Sequence, residues 1–324
     1  MTVFPMMPMS LTWSKRVKTH YGIIGFGPVG RVFAAHLAQN GHRVSVLYRN
    51  PNVAIAMRGH PLEIEGKVTA SAQITDLYSN MQEFLDTGMD VILLCTKSSD
   101  SPAVLENIKS LNYREDIVFL SCQNGLDTEH QISDVFGPGH TLRMSVNMGC
   151  GKSSENVVRV TFAMSHYLSL MPDIDAELIH RIAADFTESG VDLIVREDYR
   201  TEVFKKALLN SSLGSLCALT RHTMSNVMNR EYMRGMVAQI VSEGIRIAQA
   251  MNINIKDDFL DDALSYLENG GNHKPSILID IENNKVTENE YMCGRLTRYA
   301  EQYGVEVTLI PIIYNLIKTT ETTK

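Results

Sequence analysis

The chain lacks the marks of several functional classes. Its five cysteines, Cys95, Cys122, Cys150, Cys217 and Cys293, lie far apart and form no C-x-x-C pair. The odd count and wide spacing argue against a disulfide framework; reduced cysteines are expected, with Cys95 and Cys217 in the core. The ten histidines make no H-E-x-x-H and no cluster with cysteine, so a metal site has no support. No apolar run reaches membrane-spanning length. Charge is mixed along all 324 residues and sums to −7, which argues against nucleic acid or a membrane surface as partner. Met1–Val17 is methionine-rich and broken by Pro5 and Pro8. Without a basic n-region or a continuous apolar stretch it reads as a flexible extension, or a start placed too early, rather than a signal peptide. A cytoplasmic protein is expected.

What is present begins with a strand-like run, Tyr21–Ile24, leading into Gly25-Phe26-Gly27-Pro28-Val29-Gly30. This G-x-G-x-x-G spacing sets a pyrophosphate on a helix N-terminus: the first glycine turns, the second admits the phosphates, the third packs helix on strand. An apolar-periodic helix through Val32, Phe33, Leu37 and Ala38 comes next, Gly41 ends it, and Arg43–Tyr48 reads as the second strand. The complete strand–loop–helix–strand order makes the motif specific. NAD-preferring sites place an acid after that second strand. Here stands Tyr48-Arg49-Asn50, with no acid until Glu63. A guanidinium suits a 2′-phosphate, so the expected cofactor is NADPH.

Alternating strand and helix signals continue, with Leu62–Ile74 as a hairpin at the sheet edge and Met89–Cys95 and Asp116–Ser121 as buried parallel strands. From Asp198 the chain turns helical: Tyr199–Leu219, Tyr232–Met251, Asp257–Glu268, Ser276–Asn283, Glu288–Tyr303 and Leu309–Lys318. The expected fold is α/β, a doubly wound Rossmann-type NADP-binding domain over 18–197 and a mostly helical substrate and catalytic domain over 198–324. Gly149-Cys150-Gly151-Lys152-Ser153 ends like a P-loop, but position 146 is Val146 and the segment precedes a strand-like run, so a triphosphate site is rejected.

On the first of these helices Lys206 and Asn210 stand four apart and share a face, with Gly214 continuing the stripe. Phe204, Ala207, Leu208, Leu209, Leu213 and Leu216 make the helix strongly apolar. Two readings stand. A lysine at the edge of a buried site has its pKa lowered toward the range of proton transfer; alternatively Lys205, Lys206 and Asn210 form a solvated stripe.

With these pieces the chain resembles the ketopantoate reductase family, NADPH-dependent 2-dehydropantoate 2-reductases of pantothenate biosynthesis. The likeness runs in order through Gly25–Gly30, Arg49, Thr96-Lys97, Gln123-Asn124-Gly125, Phe204-Lys205-Lys206 with Asn210, Lys274-Pro275-Ser276 with Asp280, and Thr287-Glu288. It implies that Lys206 is the general acid protonating the carbonyl oxygen of a 2-oxo acid, that Glu288 orients the nascent hydroxyl, and that Ser276 and Asn210 bind substrate. Asn124 and Lys97 are implied where cofactor and substrate meet, in a monomer or homodimer. Each residue also has a plain structural reading: Thr287 and Glu290 as a capping box, Ser276 as an N-cap, Asn124-Gly125 as a turn, Lys97 as a surface residue.

The chain departs from the family at substrate-facing positions. Gly214, Met224 and Ile279 replace an asparagine, an asparagine and a glutamine; Glu288-Asn289-Glu290 replaces Glu-Ile-Asp, and Cys293 replaces an asparagine. Gly214 is expected to open space, and loss of polar partners relaxes selection for a substrate hydroxyl. The alternatives are therefore a paralogous reductase for a more apolar 2-oxo acid and a non-catalytic NADP(H) sensor.

Overall fold

The computed structural model describes residues 18–49, 51–256 and 258–321. The expected extension at 1–17 lies outside them. Twelve strands occur among these residues: His20–Ile24 (β1), Arg43–Leu47 (β2), Leu62–Gly66 (β3), Ala70–Ala72 (β4), Asp76–Tyr78 (β5), Val91–Leu94 (β6), Val118–Ser121 (β7), Thr141–Ser145 (β8), Met148–Lys152 (β9), Val157–Ala163 (β10), His166–Ser169 (β11) and Leu193–Arg196 (β12). Eight form one sheet in the order β12-β11-β8-β7-β6-β1-β2-β5. All its pairings are parallel except β11 with β8. The chain runs outward from β1 through β2 to β5, then returns to β6 on the other side of β1. The strand order thus reverses between β1 and β6, which places a crevice at their carboxyl ends. Every residue of β1, β6 and β7 is buried, as a sheet covered on both faces requires. This is the doubly wound α/β architecture that the strand and helix signals predict.

The Leu62–Ile74 hairpin does not edge this sheet. β3 and β4 pair antiparallel, and β3 joins β10 in a separate four-stranded sheet, β4-β3-β10-β9. The rejected P-loop segment lies in β9 of that sheet. Sequence alternation specifies a strand with one buried face, but not which sheet receives it.

In the helical part, Tyr199–Leu219 is not one α-helix. It runs as α-helix over Tyr199–Leu209, as π-helix over Asn210–Gly214, and as α-helix again over Ser215–Thr220. A π turn holds extra residues and rotates the downstream side chains off the four-residue stripe. Gly214 accordingly turns toward Pro275 and Ile277: a Cβ there would lie 3.7 Å from Pro275 Cβ and 3.4 Å from Ile277 Cγ2. The glycine faces an apolar neighbour in ordinary contact rather than opening free space. Glu288–Tyr303 is also broken, into a 3-10 turn over Asn289–Tyr291 and a helix over Cys293–Tyr303.

Phe204, Leu208, Leu213, Leu216, Val237, Ile240, Leu296 and Ile310 sit in one buried cluster of this part. Full burial of each such large side chain contributes roughly 1.5–3 kcal/mol. Buried Glu243 accepts the Thr308, Leu309 and Ile310 backbone N–H groups, each at 3.0 Å, capping the final helix Leu309–Glu321. All five cysteines are free; Cys217 is fully buried, whereas Cys95 is only half-buried.

The two parts meet at a tight backbone seam. Leu126 N–H donates to Tyr291 O at 2.7 Å. Gly125 has φ +106°, and a Cβ on it would lie 2.8 Å from Tyr291 O, so only glycine fits. Nearby, Tyr299 Oη donates to Asp127 Oδ2 at 2.5 Å, and Arg295 Nε lies 3.1 Å from the same oxygen.

Candidate active site

The glycine loop sits at the crevice where the strand order reverses. Gly25, at φ +97°, has no room for a Cβ: Thr96 N would be 2.4 Å away. A Cβ on Gly30 would lie 2.4 Å from Gly25 O, which records how closely the helix Pro28–Gln39 packs on the loop. Gly27 differs, since a Cβ there meets nothing within 4 Å. The loop is therefore locked on its protein side and open at its second glycine, the shape that admits a pyrophosphate. Buried Arg31 fixes Phe26 from behind, donating from Nε to Phe26 O at 2.9 Å with its guanidinium 4.7 Å over the Phe26 ring. Residues Gly25 to Gly30, including Phe26, Pro28 and Val29, thus fit a dinucleotide. Arg49 comes just after β2 and is exposed, with its guanidinium 2.7 Å from Asp100 Oδ2.

Beyond the carboxyl ends of β6 and β7 lies a polar cluster spanning both parts of the chain. Glu288 is buried at its centre. Its Oε1 accepts the Ser98 N–H at 3.3 Å and lies 3.1 Å from Ser98 Oγ; its Oε2 lies 3.4 Å from Asn124 Nδ2 and 3.8 Å from Lys97 Nζ. Lys97 Nζ also donates to Asp280 Oδ2 at 2.5 Å. Burial opposes the charged form of Lys97, but Glu288 and Asp280 outweigh it and hold the ammonium above its ordinary pKa. Lys97 is thus no free surface residue. Asn124-Gly125 is more than a turn, because its side chain and backbone join the two parts. The Thr287-Glu290 capping box is absent: Thr287 Oγ1 accepts from Asn289 N at 3.0 Å and donates to Glu321. Asn289 Nδ2 donates to Tyr314 O at 3.0 Å, so both neighbours of Glu288 are tied to the final helix.

Lys206 lies in the last turn of the helix Tyr199–Leu209, and Phe204, Ala207 and Leu208 around it are buried. Its ammonium donates to Val146 O, just past β8. Burial above all, then the nearby charge of Arg143, lower its pKa from 10.5 to about 7, while Glu288 and Cys122 act in the opposite sense. The partial burial and the lowered pKa fit the reading of a tuned lysine better than that of a solvated stripe. An amine that exchanges its proton near neutral pH is suited to acid–base work.

Asn210 is the first residue of the π segment and is half-buried. Ser276 is exposed at the start of the helix Ser276–Glu282; Pro275 holds the N-cap position and no side chain caps that helix. Ser276 is therefore free of the capping role. Ile279 is 43% exposed, which gives this rim an apolar element beside Asp280.

Three residues of the assembly carry no signal in the glycine-loop and lysine patterns: Ser98, Asp280 as the partner of Lys97, and Arg143. The last had a visible sign, a single charge inside the otherwise uncharged strand Thr141–Ser145, every residue of which is buried. A charge in a buried strand demands partners.

Residues 21–172 match the family model described as Ketopantoate reductase PanE/ApbA, and residues 198–321 match Ketopantoate reductase PanE/ApbA C terminal. Among similar proteins, the 2-dehydropantoate 2-reductase of Pyrococcus abyssi (strain GE5 / Orsay) is 25% identical over 302 residues, covering 91% of this chain and 96% of its own length. That of Aquifex aeolicus (strain VF5) is 23% identical over 92% of this chain and 96% of its own. Among solved structures, the 2-dehydropantoate 2-reductase from Geobacter metallireducens GS-15 superposes with a TM-score of 0.85 at 25% identity, covering 93% of this chain and 99% of that one. A D-mandelate dehydrogenase solved with NADH and anilino(oxo)acetate shares the fold, with a TM-score of 0.83 at 22% identity over 94% and 98%.

Proposed function

The chain belongs to the ketopantoate reductase family, and on that premise we propose that it reduces a 2-oxo acid to the 2-hydroxy acid with NADPH, 2-dehydropantoate being the first candidate substrate. It is an oxidoreductase acting on CH–OH groups. The observation that carries the assignment of roles is Lys206: a half-buried amine that donates to Val146 O, its pKa lowered to about 7, within reach of the Glu288 charge.

When bound, the dinucleotide would supply the hydride. Gly25 to Gly30 would hold its pyrophosphate, Arg49 its 2′-phosphate, and Lys97 and Asn124 would line its approach to the substrate. Lys206 gives its Nζ proton to the carbonyl oxygen as that oxygen becomes a hydroxyl, and its charge stabilises the developing alkoxide. Glu288, fixed by Ser98 and Asn124, accepts a hydrogen bond from the nascent hydroxyl and sets its direction. Ser276 and Asn210 take the substrate's carboxylate and a further oxygen. The seam at Gly125 and Tyr291 brings the two parts together around the site, and exclusion of water strengthens the Lys206 charge effect. A sensor without turnover has no need of a tuned amine.

A second reading has its own support. Gly214 is buried against Pro275 and Ile277 and offers no polar group, and at the surface the apolar rim is Ile279, exposed beside Asp280. An apolar rim of this kind favours a 2-oxo acid with an apolar side chain over one carrying a distal hydroxyl. NADPH oxidation with a panel of 2-oxo acids separates the two. Preference for 2-dehydropantoate supports the first reading; preference for branched or aromatic 2-oxo acids supports the second. Tight NADPH binding with no turnover of any panel member contradicts both.

A further inference from the structure

Arg143 lies on β8 with its side chain only 3% exposed. Nη1 donates to Ser121 Oγ at 2.8 Å and to Thr128 Oγ1, and Nη2 donates to Gly125 O at 2.9 Å. The guanidinium therefore holds the end of β7, the start of the helix Thr128–Phe136, and the Asn124–Gly125 loop between them. Its nearest acid is Glu129, itself buried, at 3.6 Å from Arg143 Nε. That separation is beyond hydrogen-bond reach, and Arg143 Nε and Glu129 Oε2 both have no hydrogen-bond partner among the described residues. The two charges still face each other at ion-pair distance, but it is Arg143 and not Glu129 that acts on Lys206.

We propose that Arg143 is a positioning residue for the proton-transfer site, holding the Asn124–Gly125 loop against Tyr291 and placing a fixed positive charge near Lys206. This rests on the reading of Lys206 as the proton donor. Through Gly125 the guanidinium orders Asn124, whose amide reaches Glu288. Lys206 Nζ donates to Val146 O, the residue after the strand that carries Arg143, so the guanidinium charge reaches the amine through space and favours loss of its proton, second only to burial. The other groups facing Lys206 leave that charge prominent. Glu288 and Cys122 oppose it. His166 of β11 is held neutral, its pKa pushed down to about 4 by burial and then by Lys206 itself. On the lysine's own helix, Glu202 and Lys205 pair with each other at 3.6 Å.

The test reads Lys206 directly and needs no substrate, so it stands apart from the identity of the 2-oxo acid. The rate of acetylation of Lys206 by acetic anhydride is tracked against pH by peptide mass spectrometry in the full chain. Arg143→Gln is expected to raise the midpoint by about one pH unit. Arg143→Lys keeps the charge, so its midpoint stays where it is, while the Leu126 amide exchanges faster with solvent because Gly125 O loses its planar donor. If Arg143→Gln does not fold, the double variant Arg143→Gln with Glu129→Gln, which removes both buried charges, carries the test with the same upward shift expected. A folded Arg143→Gln or double variant with an unmoved midpoint overturns the proposal. So does an unchanged Leu126 exchange rate in Arg143→Lys.

Discussion

The glycine loop and the Lys206–Glu288 cluster, the two halves of the candidate site, are built in opposite ways. The loop is local: six consecutive residues, a strand before and a helix after, with every steric demand met within residues 23–31 and the adjacent Cys95-Thr96 backbone. The cluster is long-range: Ser98 and Glu288 meet across 190 positions and Lys97 and Asp280 across 183. The loop works by shape and can be read residue by residue. The cluster works by charge and burial, which exist only after the two parts of the chain pack together. On the proposed reading a change in the loop acts first on cofactor binding or on the fold, whereas a change in the cluster acts on proton transfer.

The largest effect expected from breaking this division is at Lys206. Lys206→Ala lowers kcat by about 10²–10⁴-fold, the usual worth of a general acid, while the dissociation constant for NADPH stays within about twofold of wild type by fluorescence titration. A parallel loss of NADPH binding contradicts the separation. Next come the two glycines. Gly25→Ala is strained at φ +97° and collides with the Thr96 backbone, so it is expected to lower stability by ~1–3 kcal/mol. Gly27→Ala points into open space, so the melting temperature holds while dinucleotide affinity falls about tenfold. Equal thermal behaviour of the two variants removes the distinction between the loop's closed and open sides.

Lys206 also carries a stability signature. Its proton is lost near pH 7 in the folded state and near its ordinary 10.5 in the unfolded chain. Between those values unfolding takes up a proton, so this group's contribution to stability rises with pH and is least favourable below 7. Lys206→Met is expected to raise the melting temperature at pH 6 and to gain less at pH 9, as checked by thermal unfolding at both. A variant less stable than wild type at pH 6 argues that the amine is not desolvated. The smallest effect falls on the exposed Arg49–Asp100 pair. Asp100→Asn frees the guanidinium, and an exposed pair worth ~0.2–1 kcal/mol translates into NADPH affinity improved about twofold to fivefold, with NADH unchanged or weaker. Improved NADH binding contradicts the role of Arg49.

The same division explains what the sequence disclosed. Gly25 to Gly30 and the strands around them were legible because their constraints are short-range and periodic. Lys206 stood out as a charge in an apolar helix, although its burial could be established only from packing. The π turn at Asn210–Gly214 was not legible: an α-helix and a π turn share the same composition, and the turn is what aims Gly214 at Ile277. The hairpin 62–74 was recognisable as strands but not assignable to a sheet, because its partner β10 lies about 95 residues away, well beyond the span of any local pattern. Glu288 looked like an ordinary first-turn acid. Its place in the cluster is set by Ser98 and Asn124, which no local pattern connects to it. Arg143 is the same lesson in reverse, a conspicuous charge whose purpose depends on three distant partners.

The most direct test of the account is the pH dependence of kcat/KM for 2-oxo acid reduction with NADPH, wild type against Lys206→Ala. The account predicts full wild-type activity below about pH 7, a fall above it as Lys206 loses its proton, and a low, flat profile in the variant. A variant that keeps the wild-type alkaline limb, or a wild type without one, would contradict it.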